Sequence, residues 1–330
     1  MWALKFGHMK TLTNLNFRNT SAFTFIQEDK ERPGILITFL SHAIVEIDVT
    51  DPQNLKLLAG RHDRAGYRDG SGINIRFSSP SDMVQLNRNS WIIADTDNNC
   101  LRNFNNERNS LVYNTIDTIS AWSACDTNST NSKVINTVSE SRFCRPRGLA
   151  FNTRADKIYI TYEEPYSLAE IHISSGRVVV LYSSSFWKLH RIIPFQAEII
   201  ISSSPKYLVF SYRDSRLGTV INKNWHTNLP PHNEALQTYA SGIEVMSKNK
   251  SFVETVTNAN VLALIDQEKK EISEICTGVQ GHIDSQLTEC QLDRPMHVVN
   301  INSTIYIGEH GWSGGGIRTI KVEGECSRSS

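Results

Sequence analysis

Three stretches of this chain repeat one phrase, and that repetition limits what the chain can fold into more than any other feature. The first copy is Arg76-Phe77-Ser78-Ser79-Pro80-Ser81-Asp82-Met83-Val84, followed by Trp91-Ile92-Ile93-Ala94-Asp95-Thr96. The second is Arg142-Phe143-Cys144-Arg145-Pro146-Arg147-Gly148-Leu149-Ala150, followed by Lys157-Ile158-Tyr159-Ile160-Thr161-Tyr162. The third is Asp293-Arg294-Pro295-Met296-His297-Val298-Val299, followed by Thr304-Ile305-Tyr306-Ile307-Gly308-Glu309. Each reads as a proline, a short strand, a polar turn and a second strand of alternating aromatic and aliphatic residues. A unit of this kind cannot bury both its faces alone, so its recurrence predicts a solenoid or a propeller built wholly of strands.

Ahead of the first copy stand Leu57-Leu58-Ala59-Gly60 and Gly66-Tyr67-Arg68-Asp69-Gly70-Ser71-Gly72. Residues 57–102 together resemble one blade of the NHL-repeat family nearly end to end, and the other copies resemble it more faintly. Laid along the chain, that blade implies one domain over 1–330, a six-bladed β-propeller with blades near 20–60, 80–120, 145–184, 187–223, 240–277 and 294–323. Strand counting leaves the last blade one outer strand short. Trp2-Ala3-Leu4-Lys5-Phe6, within residues 1–10, has the alternation to supply it. Pairing the N-terminal strand into the last blade closes the ring and removes two exposed sheet edges.

Charge excludes some function classes. The 34 Lys and Arg balance the 34 Asp and Glu, and no basic run is long enough to form a stripe, so nucleic acid is not an expected partner. Apolar runs such as Gly34–Leu40 and Val178–Tyr182 fall far short of the roughly 20 residues a membrane helix needs. Met1–His8 has no apolar signal-peptide core, which leaves two readings: the chain is not secreted, or a leader has been trimmed.

The cysteines favour the second. Cys125 and Cys144 bracket the connection from blade 2 to blade 3, and Cys276 and Cys290 bracket that from blade 5 to blade 6. A disulfide closing either loop is worth about 3 kcal/mol in the chain-entropy model. Buried free thiols are the alternative reading. Cys100 and Cys326 pair by elimination only. Disulfides imply an oxidising, extracellular setting. Asn19, Asn128, Asn249 and Asn302 head N-x-Ser/Thr sequons, no more than chance gives in a chain so rich in these residues; Asn128 is the best acceptor, inside the Cys125–Cys144 bracket.

Inner strands line a propeller's channel, and the aligned phrases put Asp82, Gly148, Gly242 and His297 at matching positions, with His190 a looser match in blade 4. A carboxylate and two imidazoles from alternate blades form a donor set for a divalent metal, against the plainer reading of channel-lining polar groups. The peptidyl-amidoglycolate lyase family, an NHL-type propeller with zinc-binding channel histidines, carries a phrase similar to Phe143-Cys144-Arg145-Pro146. That resemblance implies a metalloenzyme, although its histidine, tyrosine and arginine set does not map here residue by residue. The family resemblance makes Asp95 a turn-stabilising residue, and it makes the Gly66–Gly72 loop ordinary connecting structure rather than a cation or phosphate site.

Two insertions depart from the pattern. Gly311–Gly316 presents Trp312, and residues 224–239 present Trp225 and His226. Loops carry binding residues more often than scaffold does. The leading expectation is a non-enzymatic extracellular module with no cofactor, binding a protein or glycan through these loops within a larger assembly; the alternative is the channel metalloenzyme.

Overall fold

A computed structural model describes residues 5–14, 23–106, 115–119, 137–152, 154–163, 165–185, 188–195, 198–204, 206–211, 216–222, 240–247, 251–266, 271–311 and 315–323. Its strands form six antiparallel sheets, five of four strands and one of five. Sheet 1 runs outward from Phe23–Glu28 to Lys56–Gly60, and sheet 2 from Pro80–Asn87 through Ser90–Asp95 and Cys100–Asn105 to Thr115–Thr118, with Gly70–Ser71 added outside. Sheet 3 begins at Gly148–Phe151, sheet 4 at Lys188–Phe195, sheet 5 at Ala240–Ser247 and sheet 6 at Pro295–Ile301.

These six inner strands touch in cyclic order, sheet 1 to 2, 2 to 3, onward to 6, and 6 back to 1. Alternation in each strand turns one apolar row toward each neighbour, so the core lies between sheets rather than within any one. Phe25, Phe39 and Leu58 of sheet 1 meet Trp91 and Phe104 of sheet 2 and Phe77 of the connection between them. Val84 and Leu101 meet Leu149 and Ile160 across the next junction, and Tyr159 and Leu168 meet Leu189 and Ile199 across the one after. Met246 and Val253 pack on Leu292 and Val298, and Phe23 and Leu36 on Ile317. The backbones approach closely at two of these seams. A Cβ on Gly308 would lie 2.5 Å from Phe23 O, and one on Gly148 2.5 Å from His190 O, so only glycine fits either place.

The outer strand of sheet 6 is N-terminal. Lys5–Asn14 pairs antiparallel with Gly316–Glu323, from Lys5 opposite Glu323 to Asn14 opposite Gly316. Of the expected Trp2–Phe6, residues 2–4 lie outside the described residues, and the strand runs further than expected, to Asn14; Met9 and Thr13 are inward, buried residues of it. Among the described residues no helix is long and apolar enough to cross a membrane.

Candidate functional site

The inner strands bring a polar cluster to the axis. Asp82 is 1 % exposed, and its carboxylate joins three sheets. Oδ1 accepts the Met83 N–H at 2.8 Å, Oδ2 accepts the Leu149 N–H of sheet 3 at 2.8 Å, and Arg191 Nη1 of sheet 4 stands 2.7 Å from Oδ1. Arg191 Nη2 donates to Ser81 O at 2.8 Å and more weakly to Thr24 O of sheet 1 at 3.4 Å, while the guanidinium lies 5.1 Å from the Phe25 ring centre. On the far side, His297 of sheet 6 accepts the Ile26 N–H at Nδ1, 3.0 Å away, and its ring packs 5.0 Å from Phe25.

Burial governs the electrostatics. It pushes Asp82 up to about 6 against the pull of Arg191 and two backbone donors, so the carboxylate is ionised at neutral pH. Burial likewise lowers Arg191, with Asp82 and then Glu244 opposing. His297 is held well below its ordinary value by burial and by the Arg191 charge, and is therefore neutral. Because Nδ1 accepts a backbone N–H, the proton of the neutral ring sits on Nε2.

These observations test the expected donor set. Asp82, His190 and His297 all lie at buried inner-strand positions, yet no group of three His, Cys, Asp or Glu among the described residues is gathered to hold a metal. A guanidinium already holds the Asp82 carboxylate, where a divalent cation would be repelled, and neither His297 nitrogen offers a spare lone pair in the tautomer its hydrogen bond selects. The residues do not fit zinc or calcium. What the cluster does is fasten sheets 1, 2, 3 and 4 to one ion pair. Arg191 was the residue missed in the sequence. Its signal was a charged residue in the apolar strand Leu189-His190-Arg191-Ile192, where the sheet register shifts between Leu189 and Ile192 and strict alternation fails.

Of the thiols, Cys276 and Cys290 are disulfide-bonded, with Cα atoms 4.7 Å apart. Cys144 is disulfide-bonded too. Cys125 and Cys326 lie outside the described residues. Cys100 corrects the expectation that it pairs with Cys326. It is a free thiol, fully buried at the start of the third strand of sheet 2, and burial, then Asp95, pushes it up to about 12. Such a thiol is inert. Asn302 is exposed at the turn between the first two strands of sheet 6. Asn19, Asn128, Asn249, Trp225, His226 and Trp312 lie outside the described residues.

No protein-family model and no curated protein matches this chain. Solved structures do. An auxiliary nutrient binding protein from Bacteroides thetaiotaomicron is 11 % identical over 98 % of this chain and 78 % of its own, with a TM-score of 0.69. A luciferin-regenerating enzyme is 9 % identical over 96 % and 97 %, at 0.62. The WD40 repeats of RRP9 are 7 % identical over 97 % and 100 %, at 0.59. The fold is an all-β propeller. At such identities the likeness extends to the fold and no further.

Proposed function

We propose that this chain is a non-enzymatic, extracellular propeller of the NHL type that binds a protein or glycan through loops on one face, as part of a larger assembly. In this reading the six sheets are six blades, and the Lys5–Asn14 strand closes the ring. The observation that carries it is the Asp82–Arg191 pair, which commits the axial carboxylate internally and leaves recognition to the periphery. The Cys276–Cys290 disulfide supports an oxidising compartment. Two of the similar propellers, from Bacteroides thetaiotaomicron and Bacteroides ovatus, are called auxiliary nutrient binding proteins, which agrees with a binding role on this scaffold. Gly311–Gly316 and residues 224–239, with Trp312, Trp225 and His226, are the proposed contact loops; nucleic acid is not the proposed partner.

The test compares loop with channel. Trp312→Ala weakens binding to an extracellular partner isolated from the native source by about 1–2 kcal/mol or more, roughly tenfold, with melting unchanged. Purified protein binds neither zinc nor calcium in a way that depends on Asp82. Stoichiometric metal lost in Asp82→Asn, with binding unaffected by Trp312→Ala, would overturn the reading in favour of a channel metalloenzyme.

A further inference from the structure

The connection from sheet 1 to sheet 2 concentrates cations in a chain whose net charge is zero. Arg61, Arg64, Arg68 and Arg76 lie within it, against Asp63 and Asp69. Neither acid is free to balance the group. Asp63 pairs with Arg61 at 2.9 Å, and Asp69 turns inward to the buried Arg102 at 2.6 Å.

The backbone holds the remaining arginines together. Arg68 and Arg76 face each other in an antiparallel bridge, with the Arg68 N–H donating to Arg76 O at 3.3 Å and the Arg76 N–H to Arg68 O at 3.1 Å. Side chains directly opposite in such a pair share one face, and like charges there are destabilising. The Arg76 side chain lies over Gly66, where a Cβ would come within 3.3 Å of its own, and Arg76 Nη1 donates to Ile75 O at 2.6 Å. Desolvation and then the charges of Arg64, Arg61 and Arg68 lower Arg76, with Asp63 opposing them. Beneath them Arg102 donates to Arg68 O and Arg76 O, so the bridge rests on a rigid support. Arg64 and Arg68 are exposed and form no ion pair among the described residues. Tyr67 and Ile73, 41 % and 64 % exposed, stand beside them.

We infer that this ledge is a binding site for an acidic polysaccharide, one bearing sulfate or uronate groups. Two uncommitted guanidiniums present planar forks that match sulfate or carboxylate oxygens two at a time. A bound anion relieves the repulsion that the bridge builds in, and Tyr67, which packs on Arg102 and bonds Thr118, borders the site. Two features favour a glycan over nucleic acid. The cations form one short ledge rather than a stripe along a backbone track, and in the extracellular setting proposed above, on which this preference rests, acidic polysaccharides are the common polyanions. The site uses neither Trp312 nor Trp225 and so goes beyond the loop-binding reading.

Heparin is the probe, titrated into the full chain, with neutral dextran and a single-stranded RNA of matched charge as comparisons. Heparin binds and dextran does not, the affinity falls as salt rises, and heparin binds more tightly than the RNA. Arg64→Ser with Arg68→Ser weakens heparin binding about tenfold or more and leaves the melting temperature unchanged or raised, since one of a repelling pair is gone. Arg88→Ser, an exposed arginine at the first hairpin turn of sheet 2, leaves the affinity as it was. Absence of heparin binding, tighter binding to the RNA, or an equal loss in Arg88→Ser would each overturn the assignment. Loss of heparin binding in Trp312→Ala would also overturn it, by merging the two sites, whereas failure of Trp312→Ala to affect the native partner touches only the loop reading.

Discussion

Sheets 2 and 6 solve the same problem with the same parts, drawn from opposite ends of the chain. In sheet 2, Asp95 at the end of the second strand accepts the Ser78 N–H at 2.8 Å, and Arg102 on the third strand pairs with it at 2.7 Å. Arg102 then reaches beneath the incoming loop to Arg68 O and Arg76 O and to Asp69. In sheet 6, Glu309 accepts the Asp293 N–H at 2.9 Å, and Arg318 reaches Ile283 O, Gln291 O and Asp284. The loop acid then holds the outer strand. Asp69 accepts from Thr118 N and Oγ1 at 3.1 and 3.0 Å, and Asp284 from Thr11 N and Oγ1 at 2.8 and 3.1 Å. Thr118 belongs to the strand that follows Cys100–Asn105 in sequence, whereas Thr11 lies far from the other strands of sheet 6 in sequence, so sheet 6 grips a distant strand with the contact sheet 2 uses on its own.

The two clusters differ in tightness. Asp95 Oδ2 takes both Arg102 and Asn98 Nδ2 within 2.8 Å, but the longer Glu309 leaves Oε2 at 3.5 Å from Arg318 and 3.2 Å from His282 Nδ1. Removing one partner of a fully buried pair costs about 3–5 kcal/mol, so Arg102→Met destabilises by that amount in denaturant unfolding. Arg318→Met, losing a looser pair, costs less in the same assay. A larger loss at Arg318 would break the ranking of the clusters.

Sheet 6 has compensation that sheet 2 lacks. The loop approaching sheet 6 is cross-linked by Cys276–Cys290, and the residues in register at sheet 2 are Gly60 and Ile75. Closing a loop of this length contributes about 3 kcal/mol in the chain-entropy model. Cys276→Ala with Cys290→Ala therefore lowers stability by roughly that much, and amide exchange rises first at Met9 and Thr11, which bond to Ser285 O and Asp284. Equal acceleration at Thr118 would show that the cross-link steadies the sheets generally and not the N-terminal strand of sheet 6.

Much of this frame was legible in residues 57–102. The proline-strand-turn phrase placed the inner strands, and the need for one more outer strand pointed to the N-terminus. The resemblance also placed Asp95 in structure. Three things were not legible. The N-terminal strand of sheet 6 is described over Lys5–Asn14, and it runs well past Phe6 because Met9 and Thr13 supply buried inward residues further along. The axis holds an ion pair because a register shift puts Arg191 beside Asp82, and a side-chain period of two cannot anticipate a shift. Cys100 was assigned a partner by elimination, and counting takes no account of burial. The cysteine brackets also looked alike without being in register: Cys144 aligns with Ser78 and Asp293, two residues before the proline, whereas Cys290 lies five before it.

The smallest expected effect separates the two clusters by pH. Where sheet 2 has Tyr67, whose ring stacks 5.1 Å from the Arg102 guanidinium, sheet 6 has His282. Glu309, 3.2 Å away, raises His282 above its ordinary value, burial and Arg318 oppose, and Asp293 adds to the rise. A histidine raised in the folded state contributes stability that is fully present below the unfolded value, near 6.5, and is lost as pH rises through the folded value. The other shifted histidines and the raised aspartates act lower, and Cys100, Tyr162 and Tyr306, all raised by burial, act only above about 8.5. His42, His297 and His310 are all lowered by burial, so their contributions change as pH falls below about 6.5, and Asp82 and Asp95 are raised only to about 6. Between about 6.5 and about 8.5, then, unfolding free energy declines with pH through His282, and His282→Tyr, which copies sheet 2, flattens that decline. Amide exchange at Thr11 follows the same curve, while Thr118 does not. A slope that survives His282→Tyr would place the titrating group elsewhere and leave the clusters alike in their response to protons.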